Sequence, residues 1–149
     1  MRAKIGGGNV DRGCFKTHAR NCVTCAVLKE TKKFKSTSDG RTHVIKGSLT
    51  CTSKGVIYLV NCLDCKKQYV GETGGELRIR HRGHRQEIRN NLTPLGQHFN
   101  SCKNLELIAI ESTGMRPKAV REGRKLRWIY ILNTLQPNGI NRKDVKLRY

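Results

Sequence analysis

Two tyrosines, an arginine and a histidine near the middle of the chain are the residues best suited to carry out chemistry. Tyr58 and Tyr69 stand in short runs of β-branched and aromatic residues, and Arg80 and His84 follow at a spacing of four. A guanidinium can bind and neutralise a phosphate, and a tyrosinate or an imidazole can help to deprotonate water. With a metal ion held by a carboxylate, this set could cleave a phosphodiester bond. Taken singly, the same residues fit strand aromatics and a solvated basic helix.

The two tyrosine runs predict an antiparallel hairpin that places both phenols on one face. Strands are expected near residues 55–61 and 68–72, because the gap between them is too short for a helical crossover. A helix is expected over 75–90, where the i, i+4 spacing lets Arg80 and His84 point at one spot near the second strand.

The rest of the pattern predicts an α+β fold, a small three-stranded antiparallel sheet flanked by helices. A short helix begins at Thr93, a third strand ends at Glu111, and a long helix begins near Pro117 and ends at the turn that starts with Pro137. A hairpin turn is expected at Ser38-Asp39-Gly40-Arg41.

Three segments are expected along the chain. Residues 1–13 are rich in glycine and basic residues and are predicted to be disordered, and residues 14–50 are predicted to form a Cys/His-rich, zinc-finger-like segment. Residues 51–149 carry the sharp strand and helix pattern and are predicted to be the main domain.

Charge and cysteine usage narrow the class of partner. Thirty Lys and Arg against eleven Asp and Glu give a net charge of +19, so we expect a polyanion as partner, although a ribosome-type structural protein would show the same signal. No apolar run approaches the roughly 20 residues that span a bilayer, so no membrane role is expected.

Seven cysteines, four of them in two CxxC pairs, favour metal binding in a reducing, intracellular compartment over disulfides.

Two groups of cysteine and histidine have the spacing of zinc ligands. Cys62-x-x-Cys65 followed by His98-x-x-x-Cys102 predicts a four-ligand zinc site, the alternative being free buried thiols beside a surface histidine. Zinc there would fasten the hairpin to the segment after the first helix and make folding depend on the metal.

The second group lies upstream and leaves its ligands open. Four residues of the types that bind zinc fall within twelve positions, with almost no loop between ligand pairs: Cys14, His18, Cys22 and Cys25. Cys51 or His43 could replace one member of this possible second zinc site.

The order of these motifs resembles that of GIY-YIG endonucleases. The matching residues span about 51–141 and are Gly55-Val56-Ile57-Tyr58, Tyr69-Val70-Gly71, Leu77-x-x-Arg80, His84 and Asn141. More narrowly, the chain resembles the endonuclease domain of Penelope-like retroelements. That likeness rests on Gln68-Tyr69-Val70-Gly71-Glu72-Thr73-Gly74, the CxxC between the motif halves, His98-Phe99-Asn100, and Trp128-Ile129 leading to Leu135-Gln136-Pro137-Asn138-Gly139-Ile140-Asn141.

The resemblance implies an enzyme that nicks double-stranded DNA in the nucleus with Mg²⁺ or Mn²⁺. The free 3′ end would then prime the reverse transcriptase domain of the same element. By the same resemblance, Tyr58 and Tyr69 line the active site, Arg80 binds the scissile phosphate, His84 assists proton transfer, and Asn141 closes the C-terminal end of the site.

One position departs from the resemblance. A glutamate that binds the catalytic ion is expected three residues before Trp128, and this chain has Lys125 there. Glu122, one helical turn earlier, or Glu111, at the end of the third strand, could take its place. The alternative is a catalytically inactive, zinc-stabilised DNA-binding module derived from such an element.

Arginines on the first and last helices are expected to contact DNA phosphates. They are Arg78, Arg82, Arg85, Arg89, Arg121 and Arg124.

Overall fold

The computed structural model of the protein describes residues 11–143. In that range the chain forms β1 (Gly13–Cys14), α1 (Val23–Val27), β2 (Lys33–Lys35), β3 (Thr42–Val44), β4 (Ser48–Leu49), β5 (Lys54–Cys62), β6 (Gln68–Glu76), α2 (Leu77–Arg89), α3 (Thr93–Ser101), β7 (Leu105–Ser112) and α4 (Lys118–Leu132).

The centre of the fold is a three-stranded antiparallel sheet with strand order β6-β5-β7. The middle strand, β5, is buried at every position from Gly55 to Val60, because helices or loops cover both of its faces. The predicted α+β fold, the hairpin and the third strand are therefore confirmed. The second strand runs longer than predicted, because pairing resumes beyond a bulge with Lys54 opposite Glu76, and the first helix accordingly begins at Leu77.

The helices pack their apolar residues against this sheet. In α2 the buried residues are Leu77, His81 and His84. α4 ends at Leu132, earlier than predicted, because Asn133 takes the left-handed conformation (φ 55°) that commonly closes a helix. Within residues 11–143, no helix is long and apolar enough to cross a membrane.

The segment before β5 covers the outer edge of β7. The N–H of Lys29 donates to Leu107 O at 2.9 Å, and that of Lys46 donates to Ile110 O at 2.9 Å. β2 and β3 form a small antiparallel hairpin around the predicted turn, and β1 pairs with β4 in parallel. The buried apolar side chains of the segment before β5, such as Leu28, pack in the same core as those of the sheet. An edge that would otherwise offer unpaired backbone groups is thereby protected.

The division into segments at residues 13 and 50 stays a prediction. The segment predicted to be disordered falls mostly on residues 1–10, outside the described residues, while Gly13 itself belongs to β1. The last part of the predicted main domain, 144–149, also lies outside the described residues.

Candidate active site and metal clusters

A chain of three hydrogen-bonded side chains lies between the sheet and α2. The Tyr58 hydroxyl is 2.5 Å from Nε2 of His84, and Nδ1 of His84 is 3.0 Å from a carboxylate oxygen of Glu87. Burial, with help from the charge of Arg80, lowers the pKa of His84 to about 4, so its ring is neutral at pH 7. Burial also holds the pKa of Tyr58 well above its usual value. The phenol therefore donates to Nε2, and Nδ1–H donates to Glu87.

Arg80 lies beside this chain and shares its carboxylate. Nη1 and Nη2 of Arg80 donate to the other oxygen of Glu87 at 3.4 and 3.5 Å. The Thr93 hydroxyl donates to the oxygen that already accepts from His84, at 3.1 Å. Glu87 thus organises the site, yet sequence reasoning missed it. The available signal was its position three residues after His84, on the same face of α2.

The two tyrosines lie on one face of the hairpin, as their alternation predicts. Tyr58 pairs with Gly71 across the strands, and Tyr69 precedes Gly71 by two positions on the same face. The ring centroids of Tyr58 and Tyr69 are 5.7 and 5.9 Å from that of His84. A Cβ atom at Gly71 would stand 2.3 Å from Cζ of Tyr58, so the ring occupies the space that a side chain would need.

Replacing Gly71 with alanine is expected to displace Tyr58 and to destabilise the protein by about 1–3 kcal/mol, the usual cost of overpacking. The matched control is Gly123→Ala in α4, where a Cβ would have no heavy atom within 4 Å. That change should raise the unfolding free energy by up to about 1 kcal/mol, because alanine favours the helix. Urea unfolding measures both variants. Equal effects of the two substitutions would contradict the packing of Tyr58 over Gly71.

A cleft of about 270 Å³ opens next to Arg80. Its lining includes Tyr69, Arg80 and Glu87 from the site, together with Lys125, Asn141 and Arg142. The cleft is where a phosphate could meet the predicted phosphate-binding arginine.

Asn141 ties the C-terminal segment to the outer strand of the sheet. Its Oδ1 accepts from the Val70 N–H at 2.8 Å and from the Thr134 hydroxyl at 2.7 Å, and its Nδ2 donates to Val70 O at 3.0 Å. Asn141 is buried and imitates the backbone pairing of a further strand beside β6. Asn141 also lines the cleft, and its role in closing the site stays a prediction.

Neither carboxylate proposed as a substitute metal ligand lines the cleft, and the metal-binding role of both stays a prediction. Glu122 projects from an exposed part of α4, and its carboxylate is 4.0 Å from Nζ of Lys118. Glu111 lies on β7, the strand on the far side of β5 from β6. It accepts hydrogen bonds of 2.7 and 2.9 Å from Arg124 and of 2.8 Å from Trp128. This carboxylate is fully used in holding α4 to the sheet.

The arginines predicted to bind DNA divide into two groups. Arg82, Arg85 and Arg89 are exposed on α2, and Arg78 is exposed there as well, with Nε 2.6 Å from a carboxylate oxygen of Glu76. The two arginines of α4 are each paired with a buried or half-buried carboxylate, and their contact with DNA stays a prediction. Arg121 pairs with Glu72 at 3.0 Å, and Arg124 pairs with Glu111 at 2.7 Å.

The cluster at the end of the hairpin brings together the four predicted zinc ligands. The ligand atoms of Cys62, Cys65, His98 and Cys102 all lie within 4.8 Å of one another. Sγ of Cys65 is 3.4 Å from Nε2 of His98. A tetrahedral zinc with ordinary Zn–S and Zn–N bonds separates two such ligands by about 3.5 Å. The residues therefore fit zinc, with CxxC in the hairpin turn and the other two ligands one turn apart at the end of α3.

The upstream cluster differs in membership from the prediction. It consists of Cys22, Cys25 and Cys51, whose Sγ atoms all lie within 4.8 Å of one another. Sγ of Cys51 is 3.7 Å from that of Cys22 and 3.8 Å from that of Cys25. Two thiolates on a tetrahedral zinc are about 3.8 Å apart, so this set also has the geometry of a zinc site. The Thr17 hydroxyl lies 3.5 Å from Sγ of Cys25 and 3.6 Å from Sγ of Cys51.

Cys14 and His18, which were predicted as members, lie elsewhere. Cys14 is fully buried in the core, where its sulfur accepts from the Ala109 N–H at 3.4 Å. The His18 imidazole is on the surface, 3.6 Å from a carboxylate oxygen of Glu30. His43, the other proposed substitute, packs against Trp128.

A solved nuclease domain is similar to this chain. It is the catalytic domain of the homing endonuclease I-TevI, with a TM-score of 0.48 and 23% sequence identity over 59% of this chain and 97% of that domain. No family profile matches the chain, and no curated protein matches it.

Proposed function

We propose that this chain is a DNA endonuclease that nicks one strand at the cleft beside Arg80. The observation that carries the proposal is the position of the His84 ring, held between the Tyr58 hydroxyl and Glu87 and next to a guanidinium. A neutral imidazole can accept a proton, a carboxylate fixes its orientation, and an arginine neutralises a phosphate. These are the groups that hydrolysis of a phosphodiester needs.

In the proposed reaction, Arg80 binds the scissile phosphate and stabilises the charge that builds up on it. Tyr58 is 1% exposed and does not line the cleft, so the reaction requires that a water molecule first enters beside Arg80. That water then gives its proton to the Tyr58 oxygen as the Tyr58 proton passes to Nε2 of His84. Glu87 accepts the hydrogen bond from Nδ1–H and stabilises the imidazolium that forms. Tyr69 forms part of the cleft wall beside the phosphate.

The substrate we propose is double-stranded DNA. The net charge of +19 favours a polyanion, and the exposed arginines of α2 lie on the helix that carries Arg80 and His84. Arg78, Arg82 and Arg85 line a separate groove beside α1, on the face of α2 opposite to Arg80. Their contacts with phosphates would hold DNA along that face without reading its sequence.

We further propose that the chain comes from a Penelope-like retroelement. The support is the sequence resemblance from Gln68 to Gly74 and from Leu135 to Asn141. In that role it nicks target DNA in the nucleus, and the reverse transcriptase domain of the same element extends the free 3′ end.

The two kinds of metal implied by the resemblance fit this chain differently. Zinc fits both cysteine clusters, where it would be structural and would join the hairpin to α3 and α1 to the segment before β5. Mg²⁺ or Mn²⁺ does not fit the cleft, because Lys125 stands at the expected ligand position and Glu87 is already engaged by three donors. No step is assigned to such an ion.

A second candidate is a DNA-binding module without cleavage activity. The observation that favours it is the same Lys125, a positive group in the cleft where the resemblance calls for a carboxylate. Such a module would bind DNA in a salt-dependent way and leave it intact.

A nicking assay on supercoiled plasmid, run with the zinc-loaded chain in buffer without added divalent ion, in Mg²⁺ and in Mn²⁺, tests the proposal. We expect the purified chain to convert the plasmid to the nicked circle. Tyr58→Phe should slow this conversion at least about 100-fold, because it removes the hydroxyl through which the proton of the water passes to His84. The matched control is Tyr130→Phe, since Tyr130 is 80% exposed on α4 and should react like the parent. Binding of DNA without nicking in all three buffers would refute the enzyme and leave the second candidate.

A further inference from the structure

The cleft beside Arg80 presents cations where a divalent metal site would need oxygen anions. Among the described residues that line it, the carboxylate comes from Glu87, and both of its oxygens are engaged by Arg80, His84 and Thr93. Mg²⁺ and Mn²⁺ bind through carboxylates, carbonyls and water, and a fixed ammonium group repels them. A divalent ion entering here would have to displace Arg80 from Glu87.

Lys125 forms the side of the cleft that α4 contributes. Its side chain lines the cleft together with Tyr69 and Arg80. The positive charge of Lys125 acts on His84, because it contributes to lowering the pKa of that imidazole. Burial lowers the pKa of Lys125 itself, Glu72 opposes this shift, and Arg80 adds to it. An anion seated against Arg80 would therefore be attracted by a second, partly desolvated cation.

We propose that Lys125 takes the place of a divalent cation in this cleft, so that the chain cleaves DNA with no metal ion at the reacting phosphate. The inference rests on the proposed endonuclease function and concerns how the same site works. Arg80 and Lys125 bring two positive charges to the phosphate, and the ammonium of Lys125 is also a proton donor for the leaving oxygen.

The reaction balances without a further reactant. The water oxygen forms the new bond to phosphorus while the bond from phosphorus to the 3′ oxygen breaks. The proton of the water goes to the Tyr58 oxygen, and the Tyr58 proton goes to Nε2 of His84. Nζ of Lys125 gives its proton to the leaving 3′ oxygen. The products are a 3′ hydroxyl and a 5′ phosphate, and solvent removes the proton from His84 and restores the one on Lys125.

The test compares nicking rates of the zinc-loaded full chain in a buffer that contains no added Mg²⁺ or Mn²⁺ and no chelator, cleared of divalent ions on a resin beforehand, and in Mg²⁺, with the zinc content measured before and after. We expect the parent to nick at rates that agree within about twofold in the two buffers. Lys125→Met, which keeps the length of the side chain and removes its charge, should lower both rates at least about 100-fold. The control is Lys118→Met on the same helix, where the side chain is 71% exposed; its rates should equal those of the parent.

A binding measurement gives a readout besides activity. Titration with Mn²⁺, followed by electron paramagnetic resonance, should show no cleft site in the parent and one in Lys125→Glu, which supplies the missing carboxylate. The double variant Lys125→Glu with Arg80→Ala should keep the new Mn²⁺ signal, because Arg80 is not a ligand of the ion.

Each outcome decides between the two proposals. Nicking by the parent in Mg²⁺ but not in the buffer without added divalent ion, or an Mn²⁺ site in its cleft, overturns the inference and leaves the endonuclease standing. If only Lys125→Glu nicks, and only with Mg²⁺, the inference is wrong and the parent is the inactive binding module. Absence of nicking by both chains refutes the proposed endonuclease, and the inference with it.

Discussion

Loss of zinc from the cluster of Cys62, Cys65, His98 and Cys102 is expected to unfold the protein. Binding of a structural zinc contributes about 10–16 kcal/mol in small zinc-dependent folds, which is as large as the whole stability of a typical domain. The cluster joins the end of β5 to the end of α3, where the Asp64 carboxylate also accepts hydrogen bonds from the backbone N–H groups of Lys103 and Asn104. A chelator should therefore abolish the cooperative thermal transition seen by circular dichroism.

Cysteine substitutions separate the metal ligands from the core cysteine. Cys102→Ser should lower the zinc content from an expected two ions per chain to none, because the protein unfolds without the hairpin zinc and the other cluster is then lost as well. Cys51→Ser should remove only the ion of its own cluster, and mass spectrometry measures both contents. The matched control is Cys14→Ala, which should keep both ions and cost about 1–2 kcal/mol of stability through its small cavity. If Cys14→Ala loses a zinc ion, Cys14 is a zinc ligand, as the sequence predicts, and the assignment of Cys51 in its place is wrong.

Substitution of Arg80 is expected to have the largest effect on nicking among the residues of α2. Arg80→Ala removes the guanidinium from the scissile phosphate and should lower the nicking rate about 10²–10³-fold, as the loss of one preorganised donor typically does. Binding of uncut DNA should change much less, because the exposed arginines of α2 remain. Arg80→Lys keeps the charge but not the planar, two-pronged donor and should recover the rate only in part.

The control for Arg80→Ala removes one positive charge elsewhere. Arg41 lies in the turn between β2 and β3, where its side chain is 80% exposed and pairs only with Asp39 at 3.9 Å among the described residues. Arg41→Ala should nick like the parent at matched ionic strength. A similar loss of rate in both variants would mean that net charge, not a specific phosphate contact, explains the effect.

The local part of the site could be predicted from the sequence. Alternation fixes which face of a strand a side chain takes, so Tyr58 and Tyr69 could be placed together. The four ligands of the hairpin cluster could also be found, because each pair is close in sequence: CxxC in a turn, and His98 and Cys102 one helical turn apart.

The contacts between residues that are far apart in the sequence could not be predicted from spacing alone. Cys51 joins Cys22 only because the chain returns past α1 after 29 residues, and no local pattern distinguishes it from Cys14. Which arginines are free depends on pairing across the sheet, since Arg121 and Arg124 meet carboxylates on β6 and β7. Tertiary contacts of this kind have no periodicity to reveal them.

The two cysteine clusters also bear on how exactly β5 is positioned. Cys51 lies three residues before the strand begins, and Cys62 is its last residue. With zinc in both clusters, the strand that carries Tyr58 is anchored at its two ends to different parts of the molecule. A shift of one residue in its pairing would turn Tyr58 away from His84 to the opposite face. The two zinc ions would thus fix the register of β5. They would keep the Tyr58 hydroxyl within hydrogen-bonding distance of His84 even if the surrounding helices move when DNA binds.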